Sequence, residues 1–176
     1  MSQRPLTVRS ATAGEAEAIA KLVNDAYGRT ETPSGWTSED DILAGPRIEP
    51  DRVRELVDTK DSRLFVARKD EDVIGCVHLQ RSSPGEVELG LLSVRTDLQG
   101  EDVGKQLLAA AEERAIAELD AERIVLKVIT EREELLDWHE RRGYERTGET
   151  TAFDPEPPQR SLVGELAFER LVKDLG

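Results

Sequence analysis

One stretch constrains this chain more than any other: Leu89 to Leu108, LGLLSVRTDLQGEDVGKQLL. An apolar run of strand length enters a Gly-bearing turn, and the turn opens a helix. That junction aims backbone N–H groups and the positive end of a helix dipole at one point beyond the strand, which suits a phosphate-bearing ligand. A cofactor-binding enzyme is therefore the leading expectation.

The rest of the chain supplies a setting for that junction. Leu6 to Arg9 reads as a short opening strand, and Thr12 with Glu15 forms a capping-box pattern ahead of a helix carrying Ala16, Ile19, Ala20, Val23 and Tyr27 at helical spacing. Gly28 is a natural stop for it. Residues 30–50 are polar and broken by prolines and glycines, with a short capped helix expected at Ser38 to Leu43; so much irregular chain suits a lid or binding loop. A second short helix, Pro50 to Asp58, precedes three strand-like runs: Arg63–Lys69, Val73–Gln80 and Glu86–Val94. The spacing then predicts a helix over Val103–Leu119, a strand over Ile124–Ile129, a helix over Glu133–Arg142 stopped by Gly143, and strands over Tyr144–Phe153 and Leu162–Val172. Hairpins in the middle plus strand–helix–strand units imply an α/β fold with helices on both faces of a mixed sheet.

Bulk properties narrow the class. At 176 residues one domain over 1–176 is expected, large enough to need neither disulfide nor metal. The single Cys76 lies in an apolar run and reads as a packed thiol, which fits a cytoplasmic location. No apolar run is long enough for a membrane span. The formal charge of −13 disfavours nucleic acid and anionic membranes and favours amine-bearing partners. His78 and His139 stand far apart with no cysteine cluster, so no metal site is expected. His78 itself reads as a satisfied sheet histidine.

Two phosphate-binding patterns fail on the Gln99–Gly104 turn. A P-loop needs Ser or Thr after Gly-Lys, whereas Gly104-Lys105 precedes Gln106. A dinucleotide fingerprint follows the first strand of a parallel sheet, whereas this turn follows two hairpins.

What remains is strand, Gln-Gly turn, helix, strand, then Trp138-His-Glu-Arg-Arg-Gly-Tyr144. In that order and separation the chain resembles the GNAT superfamily of acetyl-CoA-dependent N-acetyltransferases. The family's Gln/Arg-x-x-Gly-x-Gly/Ala motif falls on Gln99 to Gly104, and its Tyr-x-x-x-Gly-Phe/Tyr pattern on His139 to Tyr144. The resemblance implies a mostly antiparallel sheet of about seven strands flanked by about four helices. It implies acetyl-CoA as cosubstrate, with the pantetheine arm along Leu92, Ser93 and Val94, where the strand parts from its neighbour. The pyrophosphate would then face Gln99, Gly100, Glu101, Asp102, Val103, Gly104 and Lys105. Strand backbone would polarise the thioester carbonyl, and one well-aimed oxyanion donor is worth roughly 3–4 kcal/mol.

An amine acceptor is almost wholly ammonium at pH 7, so attack requires a base. Glu88, eleven residues before Gln99, lies where the family often places one, and strand alternation puts Glu86 on the same face. Tyr27, Trp36 and Glu39 lie where the family shapes its acceptor pocket. Three positions depart from the pattern. Asp102 replaces the motif's first glycine, with Glu101 beside it; either both acids would compete with pyrophosphate for the helix terminus, or they point to solvent while the backbone still binds phosphate. His139 replaces the tyrosine that protonates the departing thiolate; imidazolium can fill that role, or the position is a packing substitution with water as the acid. Arg132 replaces an asparagine that often contacts the cofactor. The departures keep a non-catalytic CoA- or ligand-binding domain open as the alternative, with acyl transfer to a hydroxyl as a third reading. A homodimer also stays open.

Overall fold

The computed structural model describes residues 6–27, 43–44, 46–98, 102–153, 155, 159–161 and 165–175. Strand β1 (Thr7–Ser10) leads through a 3-10 turn (Ala13–Glu15) into α1 (Ala16–Ala26). The capping box forms as expected: the Glu15 carboxylate accepts the Thr12 backbone N–H at 3.0 Å and the Arg9 guanidinium at 2.7 Å. That guanidinium holds the Glu15 carboxyl below the usual carboxylate range. Then follow β2 (Leu43–Ala44), α2 (Pro50–Asp58), β3 (Ser62–Lys69), β4 (Asp72–Ser83) and β5 (Glu86–Val94). After a second 3-10 turn (Thr96–Leu98) come α3 (Val103–Leu119), β6 (Arg123–Ile129), α4 (Glu133–Arg141), β7 (Glu145–Phe153), β8 (Arg160–Ser161) and β9 (Leu166–Asp174).

Seven strands form one sheet in the order β1-β3-β4-β5-β6-β9-β7, and β2 pairs with β8 in a separate ribbon. Only β5 and β6 run parallel; every other neighbouring pair is antiparallel. Leu43 therefore belongs to a strand and not to the helix expected over Ser38 to Leu43, whose other residues lie outside the described ones. The Gly28 stop is likewise outside them.

The sheet buries both faces. Against one lie α3 and α4, with Val103, Leu107, Leu108, Ala111, Ala115 and Leu119 of α3 in a core that also holds Phe65, Val77 and Leu79. Against the other lie α1 and α2, closing over Leu64, Val66, Cys76 and Leu91. Cys76 is fully buried, and burial pushes its thiol up to about 12, so it is a packing residue. Among the described residues no helix is long and apolar enough to cross a membrane.

Two glycines on neighbouring strands carry opposite constraints. A Cβ at Gly75 would meet the Ser93 carbonyl oxygen at 3.0 Å and Leu107 Cδ2 at 3.1 Å, because α3 lies so close to β4 there. A Cβ at Gly90 would meet nothing within 4 Å. Gly75→Ala is expected to destabilise by about 1–3 kcal/mol through overpacking. Gly90→Ala is expected to be neutral or to stabilise by up to about 1 kcal/mol, since strand glycine is entropically unfavourable. Denaturant unfolding of the two variants measures the contrast; equal effects would contradict the packing described.

Candidate functional site

The centre of the site is a parting of strands. The parallel ladder of β5 and β6 runs only through Glu86–Arg123, Val87–Ile124 and Glu88–Val125. Beyond Glu88, β5 stays paired to β4 and β6 stays paired to β9, so the facing edges of β5 and β6 diverge. Backbone N–H and C=O groups on such an edge need hydrogen-bond partners from elsewhere. Leu92, Ser93 and Val94 lie on this diverging stretch, where the resemblance places the pantetheine arm.

Leu91 sharpens the geometry. It has φ 54°, and the β4–β5 register shifts between Cys76 and His78. A buried leucine in the left-handed region is strained, at a cost on the order of 1–3 kcal/mol. The carbonyl of Leu91 is tied down locally, accepting Ser93 Oγ at 3.0 Å and Cys76 Sγ at 3.5 Å. This bulge re-aims β5 just before the chain reaches α3.

At the helix start, Asp102 has φ 63° and ψ 10°. That left-handed conformation is the reason for a glycine at this place in the motif, and aspartate is among the few residues that tolerate it. Its side chain makes no capping hydrogen bond and lies 3.5 Å from Lys105 Nζ. The first-turn N–H groups of α3, including Val103, Gly104 and Lys105, have no intrahelical acceptor, as in any helix. The carboxylate of Asp102 therefore does not cap these groups, and among the described residues they stay available to an anion. Trp138 of α4 packs on Gly104, whose Cβ would lie 3.5 Å from the ring, and the Arg142 guanidinium stands 4.7 Å over that ring. The sequence pattern gave neither Trp138 nor Arg142 a role of its own. Gln99, Gly100 and Glu101 lie outside the described residues.

His139 takes a different place from the one its motif position implied. It is 4% exposed, packed edge-on to Trp138 at 4.9 Å and Tyr144 at 5.7 Å. Burial, reinforced by the Arg142 charge, pushes its imidazolium down to about 4. At pH 7 the packed imidazole is therefore uncharged. Arg132 is buried and forms the N-cap of α4.

On the α1–α2 face, a cleft of about 610 Å³ opens between α2 and the strands β4 and β5. Its walls include Arg47, Arg52, His78, Gln80, Glu88 and Gly90. Glu88 thus faces this cleft, with Lys127 Nζ at 3.6 Å. Glu86, on the same face, is engaged by Arg170 at 3.4 Å and does not line the cleft. The cleft also ends at Leu91, so it adjoins the diverging edge. Tyr27 caps α1 beneath Arg47, whose guanidinium lies 5.5 Å from the ring centroid, so it supports the wall without lining it. Trp36 and Glu39 lie outside the described residues. His78 is a satisfied sheet histidine at one nitrogen, with Nε2 2.8 Å from Ser62 Oγ.

Both histidines bear on stability. Burial, then the Arg52 and Arg47 charges, pushes His78 down to about 4 as well. Below pH 6.5 the unfolded chain takes up protons that the folded chain excludes, so stability falls as pH drops from about 6.5 towards 4. Each histidine contributes a slope of up to about 1.4 kcal/mol per pH unit in that window. Denaturant unfolding between pH 7 and 4.5 is expected to show this slope, with His139→Phe removing about half of it. An unchanged slope in the variant would mean that His139 is not held neutral by the fold.

Residues 20–144 match the acetyltransferase (GNAT) family. A comparison with curated proteins gives no match. Among solved structures, a candidate phosphinothricin N-acetyltransferase superposes with TM-score 0.72 at 17% identity, covering 98% of this chain and 99% of that one. The spermidine/spermine N-acetyltransferase SpeG from Vibrio cholerae, solved in complex with manganese ions, gives 0.67 at 18% identity, covering 97% of this chain and 92% of its own. The yncA protein from Salmonella typhimurium, solved with its cofactor acetyl-CoA, gives 0.70 at 16% identity, covering 98% and 95%. At such identities the likeness concerns the fold alone.

Proposed function

This chain belongs to the GNAT acetyltransferase family and is an acyltransferase that uses acetyl-CoA, and we propose that it acetylates a primary amine by direct attack in a ternary complex. The observation carrying this reading is the divergence of β5 from β6 after Glu88, next to an α3 terminus left clear by the Asp102 side chain. The acetyl thioester supplies an electrophilic carbonyl and a thiolate stable enough to leave.

The chain's own groups then divide the work. The α3 first turn, Val103 to Lys105, holds the diphosphate with backbone N–H groups and the helix dipole. Leu92, Ser93 and Val94 hydrogen-bond the extended arm along the open edge of β5. Backbone N–H on this strand donates to the thioester oxygen as negative charge builds there. Glu88 removes one proton from the acceptor ammonium, directly or through one water, freeing the lone pair that forms the C–N bond; the adduct then loses its second N–H proton to solvent as the C–S bond breaks. The proton for the released sulfur comes from solvent, because His139 is neutral and packed. Residues 1–176 act as one catalytic domain in this scheme.

Glu88→Gln is expected to lower kcat about a hundredfold, the usual scale for loss of a positioned base. Acetyl-CoA at a hundredfold over its Kd is expected to stabilise wild type and variant alike, by about 2.7 kcal/mol. Steady-state thiol release and thermal unfolding measure the two. Turnover within threefold of wild type would remove Glu88 from its role. Absence of any stabilisation by acetyl-CoA would overturn the whole reading, whereas stabilisation without turnover on any amine would favour a ligand-binding domain.

A further inference from the structure

The walls of the cleft are chemically unequal, and the inequality bears on which amine it accepts. At the α2 end stand Arg47 and Arg52. Arg47 is placed by Asn24 of α1, whose Oδ1 accepts the Arg47 backbone N–H at 2.6 Å and whose Nδ2 donates to the Ile48 carbonyl at 2.9 Å. Its guanidinium lies against Tyr27 and pairs with no carboxylate among the described residues. Arg52 reaches Glu55 at 2.8 Å, but both side chains are mostly exposed, an arrangement worth little and easily rearranged. Glu49 also lines this end and faces solvent. Two arginines at the mouth of a cleft run against a chain whose formal charge is −13.

At the strand end stand Glu88 and His78, on either side of Gly90. His78 is the register partner of Gly90, which places nothing over the imidazole. A hydroxyl has a single proton, and Ser62 Oγ directs it to the Leu56 carbonyl at 2.8 Å. The 2.8 Å contact between Ser62 Oγ and His78 Nε2 must then be donated by the imidazole. His78 is thereby the Nε2–H tautomer, which leaves Nδ1 as an acceptor. Held neutral by burial and by the two arginines, it accepts an N–H hydrogen bond throughout the physiological range.

We infer that this cleft is the acceptor site and that it selects a small primary amine bearing a carboxylate or comparable anion. The anion lies between Arg47 and Arg52, and the amine lies between Glu88 and His78 Nδ1. Across the sheet order β3-β4-β5, α2 packs beside β3, His78 stands between on β4 and Glu88 is on β5. A volume of about 610 Å³ suits a small molecule. A polyamine would bring a second cation to the arginine end. The inference rests on the acetyltransfer reading and goes beyond it in naming the acceptor class.

The test is a four-carbon panel at saturating acetyl-CoA: 2-aminobutanoate, 4-aminobutanoate, butylamine and 1,4-diaminobutane. At least one aminobutanoate is expected to exceed both other amines in kcat/KM by about tenfold or more, the scale of one charge-assisted contact. Arg47→Gln with Arg52→Gln is expected to collapse that preference to within threefold, mainly through KM, while Arg47→Lys keeps most of it. His78→Phe is expected to raise KM for every amine. Preference for 1,4-diaminobutane, a preference that survives both arginine substitutions, or no turnover of any of the four by protein that acetyl-CoA still stabilises would each overturn the inference. Loss of stabilisation by acetyl-CoA in wild type would instead overturn the acetyltransfer reading beneath it.

Discussion

Everything in this molecule depends on a parallel strand pair that stops pairing after three residues. β5 and β6 share a ladder from Glu86 to Glu88 and then part, each retained by its other neighbour. A sheet interior cannot leave main-chain donors and acceptors without partners. A divergence inside a seven-stranded sheet therefore calls for an extended, amide-bearing ligand or water to complete it. The strained Leu91, whose carbonyl is fastened by Ser93 and Cys76, fixes where β5 bends away. Strain persists only where surrounding contacts over-determine it, and here it borders the functional edge.

The surrounding packing serves that divergence. Gly75 lets α3 settle against β4, so the helix terminus arrives beside the C-terminal end of β5. Trp138 then closes on Gly104 from α4, with Arg142 stacked outside it, adding positive potential near the α3 start. On the opposite face, Asn24 bridges α1 to the segment before α2 and thereby orients Arg47. Two chemically distinct surfaces result. One is a backbone cradle for a diphosphate and its arm, and the other is a cleft of charged side chains. They meet at Glu88 to Leu91.

The sequence carried the frame of this architecture because periodicity and punctuation agreed along most of it. Helices over Pro50–Asp58 and Val103–Leu119 and the strand over Glu86–Val94 match the structure end to end, since prolines, apolar spacing and turns marked both boundaries. The ribbon of Leu43–Ala44 with Arg160–Ser161 was not legible, because two residues carry no period and the pairing spans a long separation. Asp102 read as a defect of the motif, yet its left-handed backbone explains why aspartate can stand there. Of the two roles open to His139 in the sequence, proton donor or packing residue, the packed one fits its place in the structure, because motif position says nothing about burial. Arg47, Arg52 and the tautomer of His78 were also out of reach, because each depends on a contact between elements distant in sequence. The face of β5 that Glu88 occupies was legible from strand alternation. The cleft it faces was not.

The central claim is that the open edge of β5 and the first turn of α3 together bind acetyl-CoA. Amide hydrogen exchange with and without acetyl-CoA, read peptide by peptide, tests it most directly. Slowed exchange is expected to concentrate at residues 91–94 and 102–106, with β1, β3 and β7 unchanged. Protection confined to other segments, or none at 91–94 and 102–106 despite bound ligand, would contradict it.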